Sequence, residues 1–307
     1  MADEAFKTGM AVQTLLTWVE RMAAQLDHAG VSYGHGTTNG FDEAAWLVLW
    51  RLNLPLDSLN ESAARPISAA EATRIEALVQ QRITSRTPAA YLTGEAWLQG
   101  VPFHVDERVI VPRSLIAEPL ASGALDAWLT AGTRRVLDLC TGSGSLAVLA
   151  ALAWPEVQVE ASDISSDALA VAARNVQRHG LGARIALHLA DGLPAATGRY
   201  DLVLCNPPYV NAKSMARLPL EYRAEPALAL AGGQDGMDFI RRLLRELPHR
   251  LSEEGLLVLE IGHERDHFEA AFPQLEPIWL STSAGDEQVL LLTRDALLSS
   301  DGLRPTR

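Results

Sequence analysis

The chain has only two cysteines in 307 residues, Cys140 and Cys205. Two cannot build a disulfide framework, so a reducing compartment, the cytoplasm, is expected. Long apolar runs are missing as well. None reaches the roughly 18–20 residues of a membrane span, and no membrane is expected among the partners. The opening stretch MADEAFKTGM lacks a basic region followed by an apolar one, so no secretion signal is expected. Positive charge is scarce: Lys and Arg number 26 against 38 Asp and Glu, a formal net charge of −12. Such a surface repels phosphate, so passive coating of naked nucleic acid is not expected, and a basic partner suits it better. No internal repeat is visible. What remains is ordinary globular material, 48% hydrophobic and 21% charged, too apolar for disorder. At about 100–200 residues per domain, the length fits one large domain and one smaller one.

Three parts differ in pattern. Residues 1–87 read as helical. Leu15, Leu16, Val19, Met22, Ala23 and Leu26 make a stripe at helical spacing. A second apolar run covers residues 44–54 and stops before Pro55. A third helix opens at Ser68 with Glu71 three residues on, a capping box. It continues through Ile75, Leu78, Val79 and Ile83. Trp18, Trp46 and Trp50 fall at helical spacings and are expected in the core. No cluster here carries chemistry, so this part is expected to be a small bundle that recognises the substrate. Residues 88–113 hold two β-rich runs, 91–97 and 101–111, separated by Leu98-Gln99-Gly100. They are expected to form a hairpin bridging two globular parts.

Residues 114–298 form the third part, and from Arg134 its pattern alternates. Strand-like runs at 136–140, 157–161, 185–190, 202–205, 256–261, 277–280 and 289–292 have helical patterns between most of them. That order predicts an α/β domain with a seven-stranded, mostly parallel sheet covered on both faces. Such sheets bind ligands at the carboxyl ends of their strands, near the switch in strand order. Residues 299–307 are polar and are expected to fray.

The first strand of that domain carries one acid, Asp138, and runs into Thr141-Gly142-Ser143-Gly144-Ser145 and a helix. Glycines at such a turn let backbone amides approach a ligand. The second strand ends at Asp163, 25 residues after Asp138, where a ribose diol would be held. The third ends at Asp191, placed to accept from an adenine amine. Capping of a following helix would explain Asp163 or Asp191 singly, but less readily all three acids at one sheet edge. A dinucleotide is disfavoured by sign. Asp138 would oppose a pyrophosphate, whereas it would welcome the ammonium of S-adenosylmethionine.

The fourth strand ends in Asn206-Pro207-Pro208-Tyr209. Two prolines remove two N–H donors, so the loop offers carbonyls and the Asn206 side chain without competing donors. An acceptor NH₂ with two hydrogens suits it. The Asn206 oxygen would take one and the Pro207 carbonyl the other, with Tyr209 as an aromatic face.

This Asn-Pro-Pro-Tyr loop, the glycine turn and the strand-end acids together resemble the amino-group methyltransferases that use S-adenosylmethionine. More narrowly, the chain from about Pro88 onward resembles the protein-glutamine methyltransferases. The matching stretches are Pro88-x-x-Tyr91-Leu92-x-Gly94, Val111-Pro112-Arg113, the glycine turn, Asn206–Tyr209, Glu225-Pro226 and Gly232-Gly233-x-Asp235-Gly236. That family has two branches, acting on peptide-chain release factors or on the third large-subunit ribosomal protein. Tyr33-Gly34-His35-Gly36-Thr37, Asp42-Glu43-Ala44, Leu54-Pro55-Leu56-Asp57 and Cys140 before the glycine turn resemble the ribosomal branch. The spacing from Arg113 to Glu118 is longer than in release-factor enzymes, so no role is carried onto Glu118.

The resemblance implies a Rossmann-like class I methyltransferase fold. It implies methyl transfer from S-adenosylmethionine, leaving S-adenosylhomocysteine, to a glutamine side-chain amide of that ribosomal protein. It implies cofactor contacts from Asp138, Thr141, Gly142, Gly144, Asp163, Ile164, Asp191 and Asn206. Substrate contacts fall to Asn206, Pro207, Pro208 and Tyr209, with Asn206, Pro207 and Tyr209 catalytic. An amide nitrogen is a poor nucleophile, and the family answer is positioning, so no dedicated base is expected. The acidity suits the ribosomal protein free in solution better than one embedded in RNA.

Three other readings stay open. A release-factor enzyme would share the chemistry. A nucleic-acid adenine methyltransferase would share Asn-Pro-Pro-Tyr but want a basic groove. An assembly factor without catalysis would have lost the cofactor edge. His263-Glu264-Arg265-Asp266-His267 matches a zinc-protease pattern. It starts at a strand-to-helix corner with no third ligand in helical frame, so no metal is expected. Cys140 and Cys205 end neighbouring strands and are expected to pack there rather than act in redox chemistry. His35 is expected in a loop or at a partner contact rather than on a metal.

Overall fold

The computed structural model describes residues 13–195 and 198–299. The chain falls into two compact units, Met1–Thr93 and Gly94–Arg307. The tail expected to fray lies, apart from Ser299, outside the described residues.

The first unit is built on three long helices. Thr14 caps Leu15–His28, Asn39 caps Gly40–Arg51, and Ser68 caps Ala69–Ser85 through the reciprocal box with Glu71. Leu15, Trp18, Val19, Met22, Ala23 and Leu26 are buried. They follow the strict three-four spacing, and Leu16 falls off that stripe and is only partly buried. Trp46 and Trp50 pack against this core from its edge. The second helix starts four residues before the apolar run because Asn39 caps it and Asp42 and Glu43 occupy its first turn. Glu43 is buried with Arg82. Arg82 Nε donates to Glu43 Oε1 at 2.8 Å, Arg82 Nη2 donates to the Ser32 carbonyl at 3.0 Å, and Thr37 Oγ1 donates to Glu43 Oε2 at 3.0 Å. This buried pair ties down the Tyr33–Thr37 stretch, whose His35 is buried rather than presented outward.

Residues 91–93 are helical, not strand. Pro88 opens the helix Ala89–Thr93, its carbonyl accepting from Tyr91 N and Leu92 N, and Gly94 ends it at φ +70°. The hairpin is therefore shorter than its β-rich runs: β1 is Glu95–Leu98 and β2 is Val101–His104. Gln99 and Gly100, at φ +50° and +76°, make a two-residue turn with Leu98 opposite Val101. The hairpin is part of the second unit. Asn175, fully buried, accepts from His104 N at 2.7 Å and donates to the His104 carbonyl at 3.0 Å and the Ser143 carbonyl at 2.8 Å.

The second unit holds the expected seven-stranded sheet. Its strands are β3 Arg135–Leu139, β4 Gln158–Asp163, β5 Ile185–Leu189, β6 Tyr200–Cys205, β7 Leu251–Glu260, β8 Ile278–Thr282 and β9 Gly285–Thr293. The order is β5-β4-β3-β6-β7-β9-β8, with β5 to β7 parallel and β9 antiparallel to both β7 and β8. β3, β6 and the second half of β7 are almost wholly buried, as a doubly covered parallel sheet requires. β7 begins five residues before its apolar run because Leu251 pairs with Tyr200 across a bulge. The order turns outward in both directions from β3 and β6, so the crevice at their carboxyl ends is the switch point. No helix among the described residues is long and apolar enough to cross a membrane.

Asn175→Ala takes their partner from the part-buried His104 N–H and carbonyl and from the buried Ser143 carbonyl. We expect it to destabilise the protein by about 2–4 kcal/mol, read as a lower denaturant midpoint at unchanged slope.

Candidate active site

A cavity of about 220 Å³ opens at the carboxyl ends of β3, β4 and β5. Gly142, Asp163, Ile164, Asp191 and Pro208 lie in its wall; Asp138, Thr141 and Gly144 do not. The glycine turn explains that division. Cys140, Gly142 and Gly144 all have positive φ, at +61°, +54° and +79°. Gly144 also needs its missing side chain: a Cβ there would stand 3.1 Å from Ala172 Cβ. The helix Ser145–Ala153 can thus start tightly against the helix Ser166–Arg178. Asp138 is buried beneath the turn. Its Oδ2 accepts from Thr141 Oγ1 and, at 2.9 Å, from Ala147 N. Its Oδ1 accepts no hydrogen bond from the described residues. Burial pushes its carboxyl up to about 7.

The other two acids differ. Asp163 joins the turn to the next helix, its Oδ2 accepting from Gly142 N and its Oδ1 from Ser165 N, both at 2.9 Å. The Gly142 amide thus meets an internal carboxylate rather than standing open. Asp191 caps no helix. It faces Arg242 in a two-pronged pair, with Arg242 Nη1 at 2.9 Å from Oδ2, and its side chain is 57% exposed. The guanidinium holds that carboxyl below its ordinary range.

β6 delivers the Asn-Pro-Pro-Tyr loop beside this cavity, with Pro208 in the shared wall. Pro207 is buried; Asn206, Pro208 and Tyr209 are partly buried. Asn206, Pro207 and Tyr209 themselves are not in the cavity wall, and the Asn206 side chain makes no hydrogen bond to the described residues. Tyr209 is held from several sides. Its Oη donates to Glu260 Oε1 at 3.0 Å, and burial pushes the hydroxyl further up, which keeps it a donor. A Cβ on Gly262 would lie 2.5 Å from Tyr209 Cε2, and one on Gly232 2.7 Å from Tyr209 Cα. Val210 N donates to the Leu230 carbonyl at 2.8 Å, and Gly232 N to the Val210 carbonyl at 2.9 Å. The Gly232–Gly236 motif therefore wraps the backbone of the acceptor loop.

Two carboxylates outside the expected site organise its walls. Glu225, buried, takes Arg113 Nη1 and Nη2 at 2.6 and 2.7 Å and Val111 N at 2.9 Å. The guanidinium lies 5.2 Å from the Tyr222 ring centroid. This ties residues 108–110 to residues 226–231, and both stretches contribute to the cavity wall. Glu260, at the end of β7, accepts from Ser114 Oγ at 2.6 Å and Leu115 N at 2.9 Å besides Tyr209. Its signal in the sequence was a lone acid closing an apolar strand. Glu225 was visible only as part of a family motif. Glu118 bonds Ser283 N and Oγ at 2.7 and 2.6 Å and lines no part of the cavity.

The His263–His267 stretch serves the same loop. Glu264 is buried, accepting from Asn211 Nδ2 at 2.6 Å while facing His267 Nδ1. Asn211 in turn caps the helix Ala212–Met215. Among the described residues no three His, Cys, Asp or Glu side chains converge as metal ligands. Cys140 and Cys205 are free thiols that meet at the ends of β3 and β6. Burial, then the Cys140 thiol beside it, pushes the Cys205 thiol well above its ordinary value, away from thiolate reactivity.

Chemically, the edge offers acids to a cationic nucleoside and a lip of acceptors to an NH₂ group. Residues 121–221 match the methyltransferase small domain family. The ribosomal protein uL3 glutamine methyltransferase of Bordetella pertussis is 56% identical over 291 residues, covering 93% of this chain and 97% of that protein. The same-named protein of Burkholderia pseudomallei is 49% identical, covering 91% and 94%. That of Neisseria meningitidis serogroup B is 46% identical, covering 91% and 92%. With identity this high along nearly the whole length, the chain belongs to the ribosomal protein uL3 glutamine methyltransferase family and is an S-adenosylmethionine-dependent enzyme.

Proposed function

We propose that the enzyme methylates the side-chain amide nitrogen of a glutamine in ribosomal protein uL3, and that it meets uL3 as a free basic protein. The observation that carries this reading is the Asn206 carboxamide, without a hydrogen bond to the described residues, set before two prolines of which Pro208 lines the cavity. A primary amide presents two hydrogens, and a lip without N–H donors of its own is matched to them. Asn206 Oδ1 and the Pro207 carbonyl take those hydrogens, and the Tyr209 ring packs on the amide plane. The relatives' names supply the protein that carries the glutamine.

The residues at the strand ends fit the cofactor. Asp138 Oδ1 accepts no hydrogen bond from the described residues, which suits it to the positive end of S-adenosylmethionine. Asp163 and Ile164 would hold the ribose and Asp191 the adenine, all three lying in the cavity wall, with Thr141, Gly142 and Gly144 shaping the glycine turn. When bound, S-adenosylmethionine supplies an electrophilic methyl group on a positively charged sulfur. Holding the amide in line with it can contribute up to about 7–11 kcal/mol. General acid–base catalysis typically contributes less, and we assign no dedicated base.

The charge of −12 supports a basic protein partner over DNA or RNA. The helical first unit, in whose described residues no metal-ligand cluster occurs, selects that partner. The two free thiols and a ribosomal substrate fit work in the reducing cytoplasm.

Labelled methyl from S-adenosylmethionine, offered in parallel to purified uL3, a release factor, DNA and intact large ribosomal subunits, should appear on free uL3 alone. Labelling of another arm in preference would overturn the assignment. Asn206→Ala should cut kcat by about a hundredfold or more while S-adenosylhomocysteine affinity changes little; equal loss of both would place Asn206 in cofactor binding only. Asp138 titrates near 7, neutral below and anionic above. Cofactor affinity measured by calorimetry should therefore rise from pH 6 to pH 8, and Asp138→Asn should flatten the rise.

A further inference from the structure

Glu260 is a buried carboxylate that the chemistry above does not use. An apolar residue at the end of β7 would avoid the cost of burying a charge. Three donors converge on it instead: Tyr209 Oη at 3.0 Å on Oε1, and Ser114 Oγ at 2.6 Å and Leu115 N at 2.9 Å on Oε2. A carboxylate accepts all three at once. Two of the donors follow Arg113, whose pair with Glu225 anchors that segment independently. Glu260 is thus fixed to a braced loop and can hold Tyr209 still. Gly262, two residues on, leaves room for the ring where any side chain would collide with it.

We propose that Glu260 is a positioning residue for methyl transfer. Through the Tyr209 hydroxyl it fixes the angle of the ring against the substrate amide, and so the direction in which the amide nitrogen faces the donor. The role rests on the glutamine-methylation reading. It predicts that the tether matters for the rate of transfer and not for holding either substrate.

The test is a double-mutant cycle with uL3 as substrate. Tyr209→Phe keeps the ring and removes the tether; Glu260→Ala removes its anchor. Each should lower kcat by about tenfold to a hundredfold, the cost of a small misplacement. KM for uL3 and affinity for S-adenosylhomocysteine should stay nearly constant. The double variant should be no slower than either single one, because the two residues act through one bond. Glu260→Gln should keep most of the rate: its oxygen can serve Ser114 and Leu115 while its NH₂ donates to the Tyr209 hydroxyl. Fluorotyrosine labelling supplies a readout apart from turnover. Of the five tyrosines, the Tyr209 resonance should shift and broaden in Glu260→Ala while the other four stay in place, which also reports an intact fold.

Multiplying effects in the double variant, a Gln variant as slow as Ala, or an unmoved Tyr209 resonance would each overturn the role. If Glu260→Ala does not fold, an unchanged kcat in Tyr209→Phe is sufficient to overturn it. Wild-type enzyme inert on uL3 would instead sink the function reading, and the positioning role with it.

Discussion

A carboxylate buried at the end of a strand must have its lone pairs filled, and that requirement organises the whole carboxyl edge of this sheet. Asp138 fills one oxygen from the turn that follows its own strand and from the helix after it. Asp163 reaches sideways to that turn and forward to the next helix. Glu225 and Glu260 join the acceptor side to segments near residue 113. Glu264 holds Asn211, two residues beyond Tyr209. Each acid accepts from at least two points on the chain, so each converts a loose connection into a fixed one. The loops of the site are long, but few of them are free to move independently.

That bracing suits the chemistry. An amide nitrogen lacks a lone pair available for attack, and a stronger base would have to act in a crowded, acid-rich edge. Orientation is the cheaper route, and orientation demands rigidity in the parts that touch the amide. Tyr209, which on the proposed reading packs on the amide, is enclosed by glycines that leave no room for side chains, tethered at its hydroxyl and flanked by paired backbone at Val210. Asn206 is the exception, with an uncommitted side chain in otherwise committed surroundings. Free polar groups at a site where nearly everything else is satisfied mark where a ligand belongs.

How much was legible beforehand depended on sequence range. The parallel strands were readable because a doubly covered sheet needs continuous apolar runs, and β3 and β6 supply them. The capping box at Ser68 was readable because both partners lie within one turn. Local pattern misjudged Tyr91–Thr93, where β-rich composition lost to a proline that opens a helical turn. It also clipped β7, where Ser252, Glu253 and Glu254 interrupt the apolar pattern between the run and Leu251, which joins the sheet opposite Tyr200. Long-range pairings were out of reach. Ser114 and Glu260 are 146 positions apart, Arg113 and Glu225 are 112 apart, and nothing in either neighbourhood names the other. The Glu264 of the zinc-like motif bonds a residue 53 positions upstream, a use that its spacing pattern does not reveal. Asp191 was picked out for its place at a strand end, but its partner Arg242 was not foreseeable.

The three strand-end acids are not equivalent, and the engagement of their oxygens by the protein ranks them. Asp163 has both oxygens bonded to backbone amides, of Gly142 and Ser165, so withdrawing it would loosen the turn and the helix start together. Its contribution to a ligand is limited to remaining lone pairs on a fixed frame. Asp191 stands in water, and an exposed ion pair such as that with Arg242 is worth only about 0–1 kcal/mol. Exchange of that partner for a ligand group costs little, and the same exposure limits what Asp191 can add to affinity. Asp138 lies between these extremes. One oxygen is bonded to Thr141 and Ala147, and the other accepts no hydrogen bond from the described residues, under a turn where reduced dielectric makes a cation more valuable than in water. On the proposed reading, discrimination in favour of a positively charged donor is concentrated in that single oxygen. Asp163 keeps the pocket in shape around it, and Asp191 adapts to whatever base arrives.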